Sequence, residues 1–196
     1  MKLIMVRHGE TEANKKGIYG GWSDYKLTEK GKTQAEDIIH FLIKEAKDIG
    51  EILCSPSDRT LYIANKLGNK LNKNISIKEE LRELNFGLFE GKTNAEIKEQ
   101  YGSEYSAWIN DYVNYKIPKG ESVSDLNNRL NKFLSQLKNR SGTYVIVSHG
   151  GVIQILITIL LGLDIKTMWN FKVPPGGMVE IEYNNGFGIL TGLKSV

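Results

Sequence analysis

Two of the three histidines in this chain of 196 residues, His8 and His149, occur in matching contexts. Each follows a short apolar run and precedes glycine, as Arg7-His8-Gly9 and Ser148-His149-Gly150-Gly151. A glycine there suits a tight turn at the carboxyl end of a strand, and in an open α/β sheet such turns face one ligand-binding crevice. Alone, either histidine reads as a hydrogen-bonded core residue; the repeated context favours a shared site. Arg7 adjoins His8, and Arg59 falls in the first turn of a helix expected to open at Ser55-Pro56-Ser57-Asp58, with Ser55 as N-cap. A cation in that turn opposes the helix dipole unless an anion is present. An ordinary surface position is the alternative for Arg59. Two guanidinium groups could fork onto phosphate oxygens, with the helix N-terminus adding its attraction.

These residues need a sheet to carry them. Leu3–Val6, Glu51–Cys54 and Thr143–Val147 are apolar runs bounded by turn signals, each suited to a buried strand. From Thr28 to Asp48, Ala35, Ile38, Ile39, Leu42, Ile43 and Ala46 recur at helical spacing behind Thr28 as N-cap, and His40 falls on the solvated side. A second helix is expected over Ser122–Leu137, where Ser122 and Asp125 have capping-box spacing. Asn184-Asn185-Gly186 divides Met178–Tyr183 from Phe187–Thr191 as a closing hairpin. Alternating strands and helices imply one layered α/β domain over 1–196, with an antiparallel pair at the end of the sheet.

Composition narrows the function. Lys and Arg exceed Asp and Glu by 26 to 23 and the lysines are scattered, so no nucleic-acid partner is implied. The lone Cys54 excludes an internal disulfide framework and fits a reducing cytoplasm. The apolar start reaches Arg7 too soon for a signal-peptide core. Val152–Leu163, broken by Gln154, is short of the roughly 20 residues of a membrane span and reads as a buried helix. No His-Glu-x-x-His helix offers a zinc site, and Gly87–Thr93 has one residue too few between its glycines for a nucleotide loop. No Gly-x-Ser-x-Gly elbow supplies a serine nucleophile. No metal and no cofactor are expected.

Five blocks in order resemble the histidine phosphatase superfamily, the phosphoglycerate mutase-like enzymes. They are Val6–Asn14 with Gly20-Gly21-Trp22 and Leu27–Gly31; Cys54-Ser55-Pro56 with Arg59 and Ala64; Leu81–Gly87 with Glu90-Gly91; Gly120-Glu121-Ser122; and Val147–Gly151. The resemblance implies a three-layer α/β/α fold whose mostly parallel sheet has an antiparallel edge strand. It also implies that His8 is the nucleophile, that Arg7, Arg59, His149 and Asn14 hold phosphate, and that Glu83 protonates the leaving oxygen. Gly20 and Gly21 carry over as substrate contacts. An imidazole lone pair can attack phosphorus in line, dividing hydrolysis into two easier steps. Cationic groups around the equatorial oxygens supply the stabilisation that metals give elsewhere. As an acid Glu83 must hold a proton, which its neighbours Leu81, Leu84 and Phe86 would favour; Glu79 and Glu80 are competing carboxylates. Where the family commonly has threonine before Ala64 this chain has Ile63, which puts the tuning of the phosphate pocket in doubt.

The implied partner is a small phosphorylated metabolite; a homo-oligomer is left open. Tyr105–Asp111 with Ile117-Pro118, and Met168–Val173, resemble the α-ribazole phosphatase branch, which acts on α-ribazole 5′-phosphate in cobalamin synthesis. Tyr101, Tyr105, Trp108, Tyr112 and Tyr115 are spaced to line one helical face, with Tyr105 and Trp108 against the flat base. A stripe buried in the core is the alternative. Other functions considered are a broad-specificity phosphatase, a mutase, which normally carries an extra enclosing segment, and a non-catalytic binding module.

Overall fold

The computed structural model describes residues 1–45, 48–137 and 140–195. Strand β1 (Lys2–Arg7) is buried on both faces and lies at the centre of a six-stranded sheet. The others are β2 (Ile49–Cys54), β3 (Ile75–Ile77), β4 (Thr143–Ser148), β5 (Gly177–Asn184) and β6 (Phe187–Ser195), in the order β3-β2-β4-β1-β5-β6. Pairings among β1 to β4 are parallel, and β5 is antiparallel to both β1 and β6, giving the expected edge hairpin. Asn185 and Gly186 turn that hairpin with φ of 48° and 85°, the left-handed pair that a two-residue turn requires.

Helices cover both faces because alternate strand residues point to opposite sides. On one face α2 (Glu29–Glu45) and α3 (Asp58–Leu71) pack on Ile4, Val6, Ile52 and Val145. On the other, α6 (Val123–Leu137) and α7 (Gly150–Leu160) pack on Leu3, Met5, Ile146 and Val179. Short α1 (Glu12–Lys16) follows β1, while α4 (Asn94–Gln100) and α5 (Gly102–Asn110) build a separate aromatic cluster around Phe89 and Trp108.

Local signals explain the helix starts. Thr28 Oγ1 accepts from Gly31 N at 3.0 Å, and Ser122 and Asp125 form a reciprocal capping box. Ala46, the last residue of the expected stripe on α2, lies outside the described residues. The Val152–Leu163 run forms most of buried α7, and among the described residues no helix is long and apolar enough to cross a membrane. Strand β3, three residues long, was too short to carry a periodicity. The aromatic stripe does not lie on one helix. Tyr101 separates α4 from α5, and α5 stops at Asn110, where the Asp111 carboxylate turns to accept from Asn114 N and Nδ2.

Candidate active site

Strand register brings the two histidines together. β1 and β4 are parallel neighbours with Arg7 beside Ser148, so His8 and His149 leave the sheet side by side. Their buried rings meet edge to face, with centroids 5.2 Å apart. Cys54 pairs with Val147, which sets Ser55 against His149, with Ser55 Oγ 2.8 Å from Nε2. Ser55 is therefore not the helix cap that its sequence context suggests: α3 starts at Asp58 with Ser57 in the cap position. The Ser55 hydroxyl is committed to the histidine and its carbonyl accepts from Thr60 Oγ1.

Hydrogen bonds fix both tautomers. His8 Nδ1 is 2.7 Å from the Gly9 carbonyl, which only accepts, so Nδ1 bears the proton and Nε2 keeps its lone pair. Arg59 Nε donates to His149 Nδ1 at 3.3 Å, so the proton of His149 is on Nε2, facing Ser55. Burial, reinforced by the charges of Arg59 and Arg7, pushes His8 well below the ordinary histidine value. Burial and the Arg59 charge do the same to His149, with smaller contributions from His8 and Arg7. Both rings are neutral at pH 7.

A stability prediction follows from these shifts. Below the unfolded value, near 6.5, the unfolded chain binds protons that the folded histidines refuse, so stability falls as pH drops from there toward the depressed folded values. The urea midpoint is expected to decline between pH 7 and pH 5.5, and to decline less in His8→Asn. Equal slopes in the two proteins would contradict the assignment.

The arginines differ in how they are held. Arg59 is buried, and its five N–H groups all meet protein acceptors: His149 Nδ1, the carbonyls of Gly20, Gly21 and Ser23, and Asp24 Oδ1. Glu83, Asp24 and Glu90 offset part of the burial that lowers its pKa. Any contact of Arg59 with phosphate exchanges one of these partners. Arg7 Nη1 donates to Val173 O at 2.6 Å, while among the described residues Arg7 Nε is the one buried side-chain nitrogen or oxygen without a hydrogen-bond partner. Buried donors are rarely left unpaired, so this N–H marks where an anion fits.

Glu83 accepts from Leu84 N at 2.9 Å and from Gly151 N, in the first turn of α7, at 3.1 Å. Its surroundings are thus two backbone donors, one from the adjacent Leu84 and one from distant α7, and the charges of Arg7 and Arg59, rather than apolar neighbours alone. A Cβ at Gly151 would stand 2.7 Å from Glu83 Oε1, so a larger residue there would push the carboxylate off this donor. Of the competing carboxylates, Glu79 pairs with Arg82 and Glu80 binds Gln136, and neither lines a cavity.

A cavity of about 190 Å³ is lined by Arg7, His8, Asn14, Gly20, Arg59 and Glu83, among others. Asn14 Oδ1 accepts from Thr11 in the capping box of α1, which leaves the amide NH₂ as the group available to the cavity. Gly20 and Gly21 face Arg59 with their carbonyls. Ile63 is wholly buried in the core and lines neither cavity. A second cavity of about 310 Å³ shares Arg7, Tyr19, Glu83 and Phe86 with the first and adds Trp108, Tyr112, Met168, Trp169, Lys172 and Gln154. Tyr105 lies off it, packed against the Trp108 ring at 6.3 Å.

Sequence reasoning passed over two supports. Glu90 accepts from the backbone N–H groups of Gly21, Trp22, Ser23 and Phe86, orienting the loop whose carbonyls receive Arg59. Both Glu90 and Ser55 stand inside the blocks that resemble the family, as Glu90-Gly91 and Cys54-Ser55-Pro56, but without a role: locally Glu90 is a carboxylate in a glycine-rich loop and Ser55 one of two capping-type serines around a proline.

Comparison with known proteins identifies the family. The model of the histidine phosphatase superfamily (branch 1) matches residues 3–195. The adenosylcobalamin/alpha-ribazole phosphatase of Salmonella typhimurium is 34% identical over all of this chain and 96% of its own length. Phosphoserine phosphatase 1 of Hydrogenobacter thermophilus is 32% identical over 87% of this chain and 81% of its own. The crystal structure of the alpha-ribazole phosphatase from Shigella flexneri superposes with a TM-score of 0.92 at 32% identity, covering 100% of this chain and 96% of that one. A match along nearly the whole chain, and full-length relatives above 30% identity, make this protein a member of the histidine phosphatase superfamily and a phosphoric monoester hydrolase.

Proposed function

We propose that this enzyme hydrolyses α-ribazole 5′-phosphate through a phosphohistidine at His8. The carrying observation is that the two cavities are neighbours sharing Arg7, Tyr19, Glu83 and Phe86 as lining: an anion-binding end holding His8 and Arg7 lies beside a chamber walled by Trp108, Tyr112 and Trp169. In the first step the His8 Nε2 lone pair forms a bond to phosphorus as the ester P–O bond breaks. A proton from Glu83 goes to the leaving oxygen. Water, giving its proton to Glu83, then attacks phosphorus and breaks the N–P bond. Arg7 and the Asn14 amide bear on the equatorial oxygens, where charge accumulates, and Arg59 and His149 join them by exchanging one of their present protein partners for phosphate.

A flat benzimidazole fits an aromatic chamber, each ring contact adding roughly 0.5–1.5 kcal/mol beyond burial. Phosphoserine, the substrate in the name of one relative, would leave most of that chamber unfilled. A phosphate-release panel tests the choice. The highest kcat/KM is expected with α-ribazole 5′-phosphate, ahead of phosphoserine, 3-phosphoglycerate and nucleotides. Trp169→Ala, at a half-exposed ring on the chamber, is expected to raise KM for α-ribazole 5′-phosphate about 10-fold and to change phosphoserine turnover less than about twofold. Phosphoserine leading the panel would overturn this substrate reading.

A further inference from the structure

We propose that Arg129, on α6 and outside both cavities, is a positioning residue for Glu83. The proposal rests on reading Glu83 as the proton donor. After the single 3₁₀ turn at Glu79–Leu81 the chain runs extended through Arg82, and no sheet neighbour holds the backbone that carries Glu83. Arg129 takes that place. Its Nη1 donates to the carbonyls of Glu80 at 2.7 Å and Arg82 at 2.8 Å, and its Nη2 to the carbonyl of Glu83 at 3.1 Å. The other face of the guanidinium is fixed by Glu121, which accepts from Nε at 3.1 Å and Nη2 at 2.8 Å. Glu121 in turn accepts from Asn85 N and donates its own N–H to Asn85 O, so the clamp reaches past Glu83 on both sides.

A rigid planar fork meets three carbonyls at once in only one backbone conformation, which a lysine point charge cannot enforce. Both members of the ion pair keep only 18% of their side-chain exposure, so solvent screens it little. The clamp and Trp22 Nε1, which donates to the same oxygen at 3.0 Å, fix the Glu83 carbonyl, Gly151 N fixes its carboxyl, and the side chain between them lines both cavities.

The test uses leaving-group dependence, which loss of general structure would not alter. 2,4-Dinitrophenolate leaves without a proton, whereas the glycerol oxygen of β-glycerophosphate needs one. Glu83→Gln is expected to lower kcat/KM, which reports the first transfer to His8 and not the later attack of water, about 100-fold on β-glycerophosphate and to change it little on 2,4-dinitrophenyl phosphate. Arg129→Lys is expected to lower kcat/KM about 10-fold on the first substrate, leave that of the second within about twofold, and add nothing in a Glu83→Gln background. Glu121→Gln, which loosens the same clamp while keeping Arg129, is expected to give the same pattern and stands in should Arg129→Lys not fold. Equal losses on both substrates, no loss on either, or additive losses with Glu83→Gln would overturn the proposal. If Glu83→Gln itself shows no leaving-group dependence, the acid assignment fails first; if it does and Arg129→Lys and Glu121→Gln do not, only the clamp fails.

Discussion

His8→Ala is expected to lower kcat at least about 10⁴-fold on every monoester, because removing a covalent nucleophile removes the two-step path. His8 is distinguished from its neighbour by its hydrogen bonds. Its Nε2 is unprotonated and borders the cavity, while both nitrogens of His149 are engaged by Ser55 and Arg59. The His8 side chain is buried but bonds only to the adjacent Gly9 carbonyl, so its truncation releases no distant element. Steady-state kinetics beside a thermal melt decide the matter: an inactive protein with an almost unchanged melt is expected, and kcat within tenfold of the parent would remove His8 from the chemistry.

The second large effect is at Arg59. Arg59→Ala is expected to cost about 10²–10³-fold in kcat/KM, the range for loss of one charge-stabilising donor at a transferring group. Unlike His8, Arg59 also carries structure. Its side chain gathers the Gly20–Asp24 loop through three carbonyls and a carboxylate and orients His149. A lowered melting temperature is therefore expected with the kinetic loss. A variant with parental kcat/KM would mean that the loop, not the phosphate, is the sole concern of this arginine.

The parts of the site that could be read from sequence are those encoded by local pattern. Arg7-His8-Gly9 and Ser148-His149-Gly150 mark the ends of two apolar runs, and parallel pairing of β1 with β4 turns that repetition into proximity. Thr28 and Ser122 act as caps because capping is decided within four residues. Features made by distant contacts were not legible. Ser55 is diverted from capping by an imidazole 94 residues away, and Glu83 finds its donor at the start of α7, 68 residues on. The aromatic stripe misled for the opposite reason. Its spacing is helical throughout, but the local bonds of the Asp111 carboxylate to Asn114 outweigh it, and Tyr112 and Tyr115 fall beyond the helix end at Asn110. Trp108 consequently belongs to both readings, a core residue packed on Phe89 and a wall of the chamber.

The central claim is a bond between phosphorus and the Nε2 of His8. Rapid mixing with labelled monoester, quenching and peptide mapping by mass spectrometry tests it directly. Phosphate that is acid-labile and base-stable, located on the peptide containing His8 and absent from His8→Ala, is the predicted result. Turnover with no labelled peptide at any quench time, together with inversion of configuration at a chiral thiophosphoryl centre, would contradict it, since two successive in-line transfers retain configuration.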